Sequence, residues 1–335
     1  MVSLYEWLVL KNLFLDNNRI QPLTLKQQLN FYGEKKEPFF FIINYDTTQF
    51  EVIPLKKLPK NIRFQISEKI TTKKHNHSLK KIESDFQEYK NKFIQLQKEI
   101  KDGNTYLANL TTTTQIKSDL SLVEIYDIAN AKFKLNYKNK FICFSPEKFC
   151  TIKNDTIFTY PMKGTIDANV PNAKSIIIED EKELAEHTMI VDLLRNDLSI
   201  ICKKVTVEKF RYIDTINAGD KKLLQVSSKI SGKLEKNWES NIGDIITSIL
   251  PAGSITGTPK RKTVQILESI EEYERGYFTG VFGVYDGVTL QSAVMIRFIE
   301  KDEDGNLIYK SGGGITCDSD LHKEYQEMCD KVYIP

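Results

Sequence analysis

The chain has 335 residues, 41% of them hydrophobic and 27% charged, enough apolar material for a large core and too little charge for a disordered chain. A formal net charge of +2 at pH 7 falls short of the concentrated basic surface of a nucleic-acid binder, so no nucleic-acid partner is expected. No run reaches the roughly 18 uncharged apolar residues that cross a bilayer as a helix, so no membrane role is expected either.

The start, Met1 to Leu10, carries Glu6 inside its apolar run and lacks a basic leader, unlike a secretory signal. Five cysteines (Cys143, Cys150, Cys202, Cys317, Cys329) without CxxC spacing read as reduced thiols in a cytoplasm. Pro38 to Tyr45 is a short apolar run bounded by proline and polar residues, the pattern of a buried strand. Residues 54–81 are rich in lysine and polar side chains, and an exposed surface excursion is expected there. From Ile82 to Ile100, apolar residues three or four apart predict an amphipathic helix ending near Gly103. Phe141 to Phe149 and Thr151 to Tyr160 read as two strands, with a turn at Asn154-Asp155.

Residues 181–198 read as a helix with acidic residues in its first turn, where the macrodipole favours them. Thr258-Pro259 reads as the N-cap and first position of a helix that Gly276 stops. Asp286-Gly287 and Asp304-Gly305 separate strand-like runs of an antiparallel meander, and a last helix follows Asp318-Ser319. Clustered strands with helices between them predict an α+β architecture. No linker forces a split, so residues 1–335 are taken as one catalytic unit, with 1–80 as a shortened N-terminal part of it.

Two helices each carry an acidic pair at i,i+3 spacing, Glu183 with Glu186 and Glu324 with Glu327, and residues so spaced share a face. Each pair alone is either a solvated helix face or half of a site; together, four carboxylates suit a hard cation such as Mg²⁺. Lys331 follows one turn after Glu327, as an i,i+4 partner or an anchor for an anion. Gly312-Gly313-Gly314 is either a flexible turn or a stretch where backbone N–H groups face an anion. The run Gly253 to Lys260 leads into a helix but lacks the ending of a phosphate-binding P-loop. Arg297, amid apolar residues, is either paired with a buried carboxylate or free to fork onto a ligand carboxylate.

Ser145-Pro-Glu-Lys-Phe149, Pro161-Met-Lys-Gly-Thr165, Ala185 to Asp197, Gly253 to Lys260 and Gly312 to Ser319, with Glu324 and Glu327, resemble the motifs of the chorismate-utilising enzymes. The resemblance runs from about Gly103 to the C-terminus. It implies two large, mostly antiparallel β-sheets packed together with helices outside. It also implies Mg²⁺ held by Glu186 and Glu327, with Glu183 and Glu324 bonding metal-bound water. Arg297, Gly164, Thr165, Gly313, Gly314 and Lys331 then correspond to the carboxylate-binding set.

Lys163 is similar to the lysine of the branch that makes 4-amino-4-deoxychorismate. There it is expected to attack chorismate C2 while Glu147, as general acid, assists loss of the 4-hydroxyl; ammonia then displaces it. Such a lysine needs a lowered pKa and such an acid a raised one. The implied partners are chorismate, ammonia and a glutamine amidotransferase subunit. Gln225, where a histidine tied to pyruvate loss often stands, argues against an aromatic product. Leu107, in place of glutamine or lysine, argues against hydroxylation. Phe278 replaces a frequent tyrosine, and no tryptophan-inhibition segment is recognisable near Asn130. Anthranilate synthase component I and a catalytically idle member of the fold are the competing readings.

Overall fold

The computed structural model describes residues 13–16, 19–66, 79–82, 85–218 and 221–335. The strand Phe39–Ile43 is buried on both faces. Successive side chains of a strand point to opposite sides. Phe39, Phe41 and Ile43 therefore pack toward the helices Leu25–Glu34 and Ile242–Ile249. Phe40 and Ile42 meet Phe133, Leu135, Phe141 and Phe298 of a second sheet. An apolar run without alternation is what a strand between two cores requires.

That strand belongs to a nine-stranded sheet. Its order is Met162–Asp167, Lys221–Lys233, Thr156–Thr159, Lys148–Lys153, Leu290–Val294, Val281–Tyr285, Phe39–Ile43 and Phe50–Pro54, with Lys204–Ala218 also paired to Lys221–Lys233. The second sheet has eight strands: Gly257–Thr258, Leu107–Ser118, Leu307–Ile315, Phe298–Lys301, Phe141–Ser145, Phe133–Tyr137 and Ile62–Ile66, with Leu79–Lys81 on Leu107–Ser118. Every pairing in both sheets is antiparallel. The α+β expectation of two packed antiparallel sheets holds. Helices cover the outer faces: Leu122–Ile128 packs on Ile142, Phe144 and Tyr309, and Phe86–Lys101 packs on Leu110 and Ile315. No described helix is long and apolar enough to cross a membrane.

Two of the chain's crossings between the sheets lie next to each other. The chain leaves the second sheet after Ser145 and enters the first at Lys148; it returns between Val294 and Phe298. Hydrogen bonds tie the crossings together: Phe144 N–H donates to Arg297 O at 3.1 Å, and Val294 N–H donates to Glu147 O at 3.2 Å. Glu147 and Arg297 are thereby set side by side.

Several boundaries differ from expectation. The first amphipathic helix starts at Phe86, because Asp85 caps the N–H groups of Gln87 and Glu88. The helix Lys260–Glu271 has Pro259 as N-cap without a side-chain bond, since Thr258 is drawn into a strand pairing with Leu107. It ends where Glu272 turns left-handed at φ 58, before Gly276. Within the lysine-rich segment, Ile62–Ile66 is an edge strand with Ile62 buried, and Leu79–Lys81 pairs with the second sheet, so those stretches are structural; residues 67–78 lie outside the described residues.

Candidate active site

The helix Glu181–Ile201 begins on Asp180, whose carboxylate accepts from Glu183 N–H at 2.8 Å, and its face carries Glu183 and Glu186. The helix Leu321–Asp330 begins on Asp320 and carries Glu324 and Glu327. The two faces meet: Lys182 Nζ on the first helix lies 3.1 Å from Glu324 Oε1 on the second. Glu186 and Glu324 are buried. Lys163, on the edge strand Met162–Asp167, reaches Glu186 Oε2 with Nζ at 2.8 Å.

The glycines make this approach possible. Gly312-Gly313-Gly314 is neither a turn nor a loop; it continues the strand Leu307–Ile315 opposite Thr111, Leu110 and Asn109. A Cβ on Gly314 would stand 2.5 Å from Lys163 Nζ, and one on Gly313 3.6 Å from Lys331 Nζ. Gly164, at φ +82, leaves room for Glu183: a Cβ would be 3.0 Å from its Oε2. Lys331 caps the last helix and donates to Glu327 at 2.7 Å and to Gly312 O at 2.8 Å, so it is helix partner and strand anchor together. Thr165 is exposed, and its hydroxyl donates to Gln225 Oε1 at 3.0 Å while Gln225 Nε2 donates to Gly164 O at 3.0 Å.

Arg297 has left-handed backbone at φ 54, strained for a side-chain-bearing residue in a crossover. Its guanidinium lies over the Tyr333 ring, 5.5 Å from the centroid, and its buried Nε has no hydrogen-bond partner. Among the described residues it forms no ion pair with a buried carboxylate, which favours the ligand-directed alternative. Glu147 accepts a short hydrogen bond from Ser254 Oγ.

Burial pushes the Glu147 carboxyl above its ordinary range, against the pull of Ser254, Lys163, Arg297 and Lys331. For Lys163, burial alone would lower the pKa, but Glu186, Glu183 and Glu327 outweigh it and raise the value. The expected lowering therefore does not occur in this state, because three carboxylates surround the ammonium. Glu183 is raised by burial and by Glu186, and its Oε2 is buried without a hydrogen-bond partner. Burial would raise Glu327 too, but Lys331 brings it below the ordinary range.

Sequence reasoning missed two contributors. Lys182 stands beside Glu183 and one turn before Glu186, a spacing that could have exposed it. Ser254 lies in the Gly253 to Lys260 run, a helix entry and a motif of the resemblance to which no role for Ser254 was attached. Among the described residues no three His, Cys, Asp or Glu side chains stand close enough together to hold a metal ion. The chemistry of the donor set nonetheless fits a hard divalent cation: four carboxylates on two facing helices, one oxygen of them orphaned.

Ammonium and guanidinium groups, a carboxyl of raised pKa and an acidic quartet thus lie within electrostatic reach of one another, a set of side chains suited to a small polyanion. The chain is 46% identical over 314 residues to an uncharacterized PabA-like protein of Haemophilus influenzae, covering 92% of this chain and 95% of that one. It is 33% identical over 202 residues to aminodeoxychorismate synthase component 1 of Bacillus subtilis, covering 58% of this chain and 42% of that protein. The menaquinone-specific isochorismate synthase of Escherichia coli shares the fold at a TM-score of 0.70 and 16% identity, over 92% of this chain and 81% of that one. Residues 18–335 match the model of the chorismate binding enzyme family, and the chain belongs to that family.

Proposed function

We propose that the chain is the chorismate-aminating component of an aminodeoxychorismate synthase, supplying 4-aminobenzoate and folate synthesis in the cytoplasm. The observation that carries this reading is Lys163, whose ammonium sits 2.8 Å from Glu186 and within electrostatic reach of Glu147. Chorismate would lie between Lys163 and Glu147, its carboxylates taken by Arg297, Lys331 and the backbone at Gly164-Thr165 and Gly313-Gly314. Mg²⁺, held by Glu186 and Glu327 with Glu183 and Glu324 around its waters, would neutralise a substrate carboxylate and hold the ring in register. Glu147, whose proton is held more tightly because burial raises its pKa, gives that proton to the departing 4-hydroxyl, which leaves as water. Lys163 first gives up its ammonium proton to water, and its free amine attacks C2 as that hydroxyl leaves; ammonia then attacks C4, the C2–N bond to the lysine breaks, and the ionised Glu147 takes the surplus proton of the incoming nitrogen. Ammonia comes from free ammonium or from a glutamine amidotransferase partner.

A second reading of Lys163 is favoured by its ion pair with Glu186 and its raised pKa: it stays protonated and anchors a substrate carboxylate without a covalent step. Anthranilate synthase chemistry is disfavoured by Lys163 and Gln225 together.

Purified protein incubated with chorismate, Mg²⁺ and ammonium should release a non-aromatic amino product identifiable by mass spectrometry. Direct appearance of anthranilate would overturn the assignment. Lys163→Ala should abolish or redirect turnover, whereas activity surviving in Lys163→Arg supports the anchoring role.

A further inference from the structure

The acidic quartet is compensated from within the chain. Glu183, Glu186, Glu324 and Glu327 bring four negative charges, and Lys163, Lys182 and Lys331 return three positive ones. Their placements differ. Lys163 pairs with Glu186 alone and Lys331 with Glu327 alone, whereas Lys182 Nζ stands 3.1 Å from Glu324 Oε1 and 3.7 Å from Glu186 Oε1. Among the described residues, Lys182 is the cation that joins the two acidic helices. Its partners are nearly sealed, with side chains 7% and 5% exposed, but its own is 39% exposed.

These exposures have opposite consequences. Two buried carboxylates facing each other need a cation between them, since like charges withdrawn from water repel strongly and each ion suffers desolvation. A lysine that is two-fifths exposed keeps a route back to solvent, where its ammonium is well hydrated at the end of a flexible stem. Glu324 Oε1 would still hold its hydrogen bond from Ser319 Oγ at 2.8 Å. Withdrawal of Lys182 thus frees carboxylate oxygens on both helices without stranding its own charge.

We propose that Lys182 is a displaceable internal counter-cation. It bridges Glu186 and Glu324 in the metal-free protein and swings out when a divalent cation enters between the helices. It therefore sets cation affinity by competition while keeping the empty site assembled. This inference rests on the proposed use of Mg²⁺ at the quartet.

The test is calorimetric titration of MgCl2 into the metal-free full-length chain and into Lys182→Gln and Lys182→Arg, with thermal unfolding of each in chelator. Removing one competing charge from a half-exposed position should tighten Mg²⁺ binding by roughly tenfold in Lys182→Gln. The same variant should melt lower than wild type in chelator and recover more of its Tm when Mg²⁺ is added. Lys182→Arg, which keeps the charge, should stay close to wild type in both measurements. Wild-type binding with equal or weaker affinity in Lys182→Gln would sink the competition and leave the Mg²⁺ reading intact. Absence of binding in both proteins would overturn both, while binding by Lys182→Gln alone would show the competition at its strongest.

Discussion

Ser254 Oγ donates its hydrogen bond to Glu147 Oε1, fastening the carboxyl between the sheets to a loop 107 residues further along the chain. A donor hydroxyl favours the ionised carboxylate, so Ser254 holds the Glu147 pKa down while burial holds it up. Ser254→Ala should remove the downward pull and, with it, the hydrogen bond that orients the carboxyl. The alkaline limb of the kcat profile then moves to higher pH, and kcat falls by about tenfold as the carboxyl loses its orientation. A lowered kcat with an unmoved limb would restrict Ser254 to a structural part.

Glu147 itself should make activity and stability fall together as pH rises, and only its replacement should part them. An acid with a raised pKa is protonated below that value, so turnover is highest on the acid side and declines as pH rises through it. Folded Glu147 binds its proton more tightly than the unfolded chain does, so its effect on stability turns unfavourable as pH rises from about 4.3 through the folded value. Glu147→Gln keeps the shape without the charge. It should lose nearly all turnover yet show a higher Tm than wild type at pH 7.

Two neighbouring glycines should fail in different ways. A Cβ on Gly314 meets the tip of a flexible side chain, Lys163 Nζ at 2.5 Å, whereas a Cβ on Gly312 meets the backbone oxygen of Leu110 at 2.5 Å. Gly314→Ala should keep its circular dichroism and its Tm within a few degrees while losing more than tenfold in kcat/KM, because the ammonium must leave its place. Gly312→Ala must open a strand pair instead, and a destabilisation of about 1–3 kcal/mol in urea titration is expected.

Legibility followed how strongly each residue's pattern depended on its own neighbourhood. The strand around Phe39–Ile43, the helix expected over 181–198 and found over Glu181–Ile201, and the Asn154-Asp155 turn, both of whose residues have φ 52, were readable because local pattern decides them. The strand Leu107–Ser118 was not read. Its Thr111, Thr112 and Thr114 are buried polar residues, and Thr111 is satisfied by Glu271, a partner 160 residues away. Thr258 looked like a cap because strand pairing with Leu107 cannot be seen from one segment. The site's acidic pairs were visible from helical spacing and its glycines from the motifs. The bridging place of Lys182 was hidden among 47 basic residues, since it depends on how two helices meet.

Arg275 and Glu271 are 2% and 3% exposed and form a forked pair, Nη2 to Oε1 at 2.6 Å and Nε to Oε2 at 2.7 Å. The fork is tied outward: Arg275 donates to Ile255 O at 3.0 Å and Asn109 O at 2.8 Å, and Glu271 accepts from Thr111 N–H at 2.9 Å. One pair thus braces the loop that carries Ser254 and the strand that faces Gly314. Arg275→Met leaves Glu271 charged and buried without a compensating cation, a loss of about 3–5 kcal/mol in denaturant unfolding. Adding Glu271→Gln removes the stranded charge and should restore a substantial part of that stability. Activity should not return with it, because the Ser254 loop and the Asn109 carbonyl remain unbraced. Recovery of kcat in the double variant would mean that the pair serves stability alone.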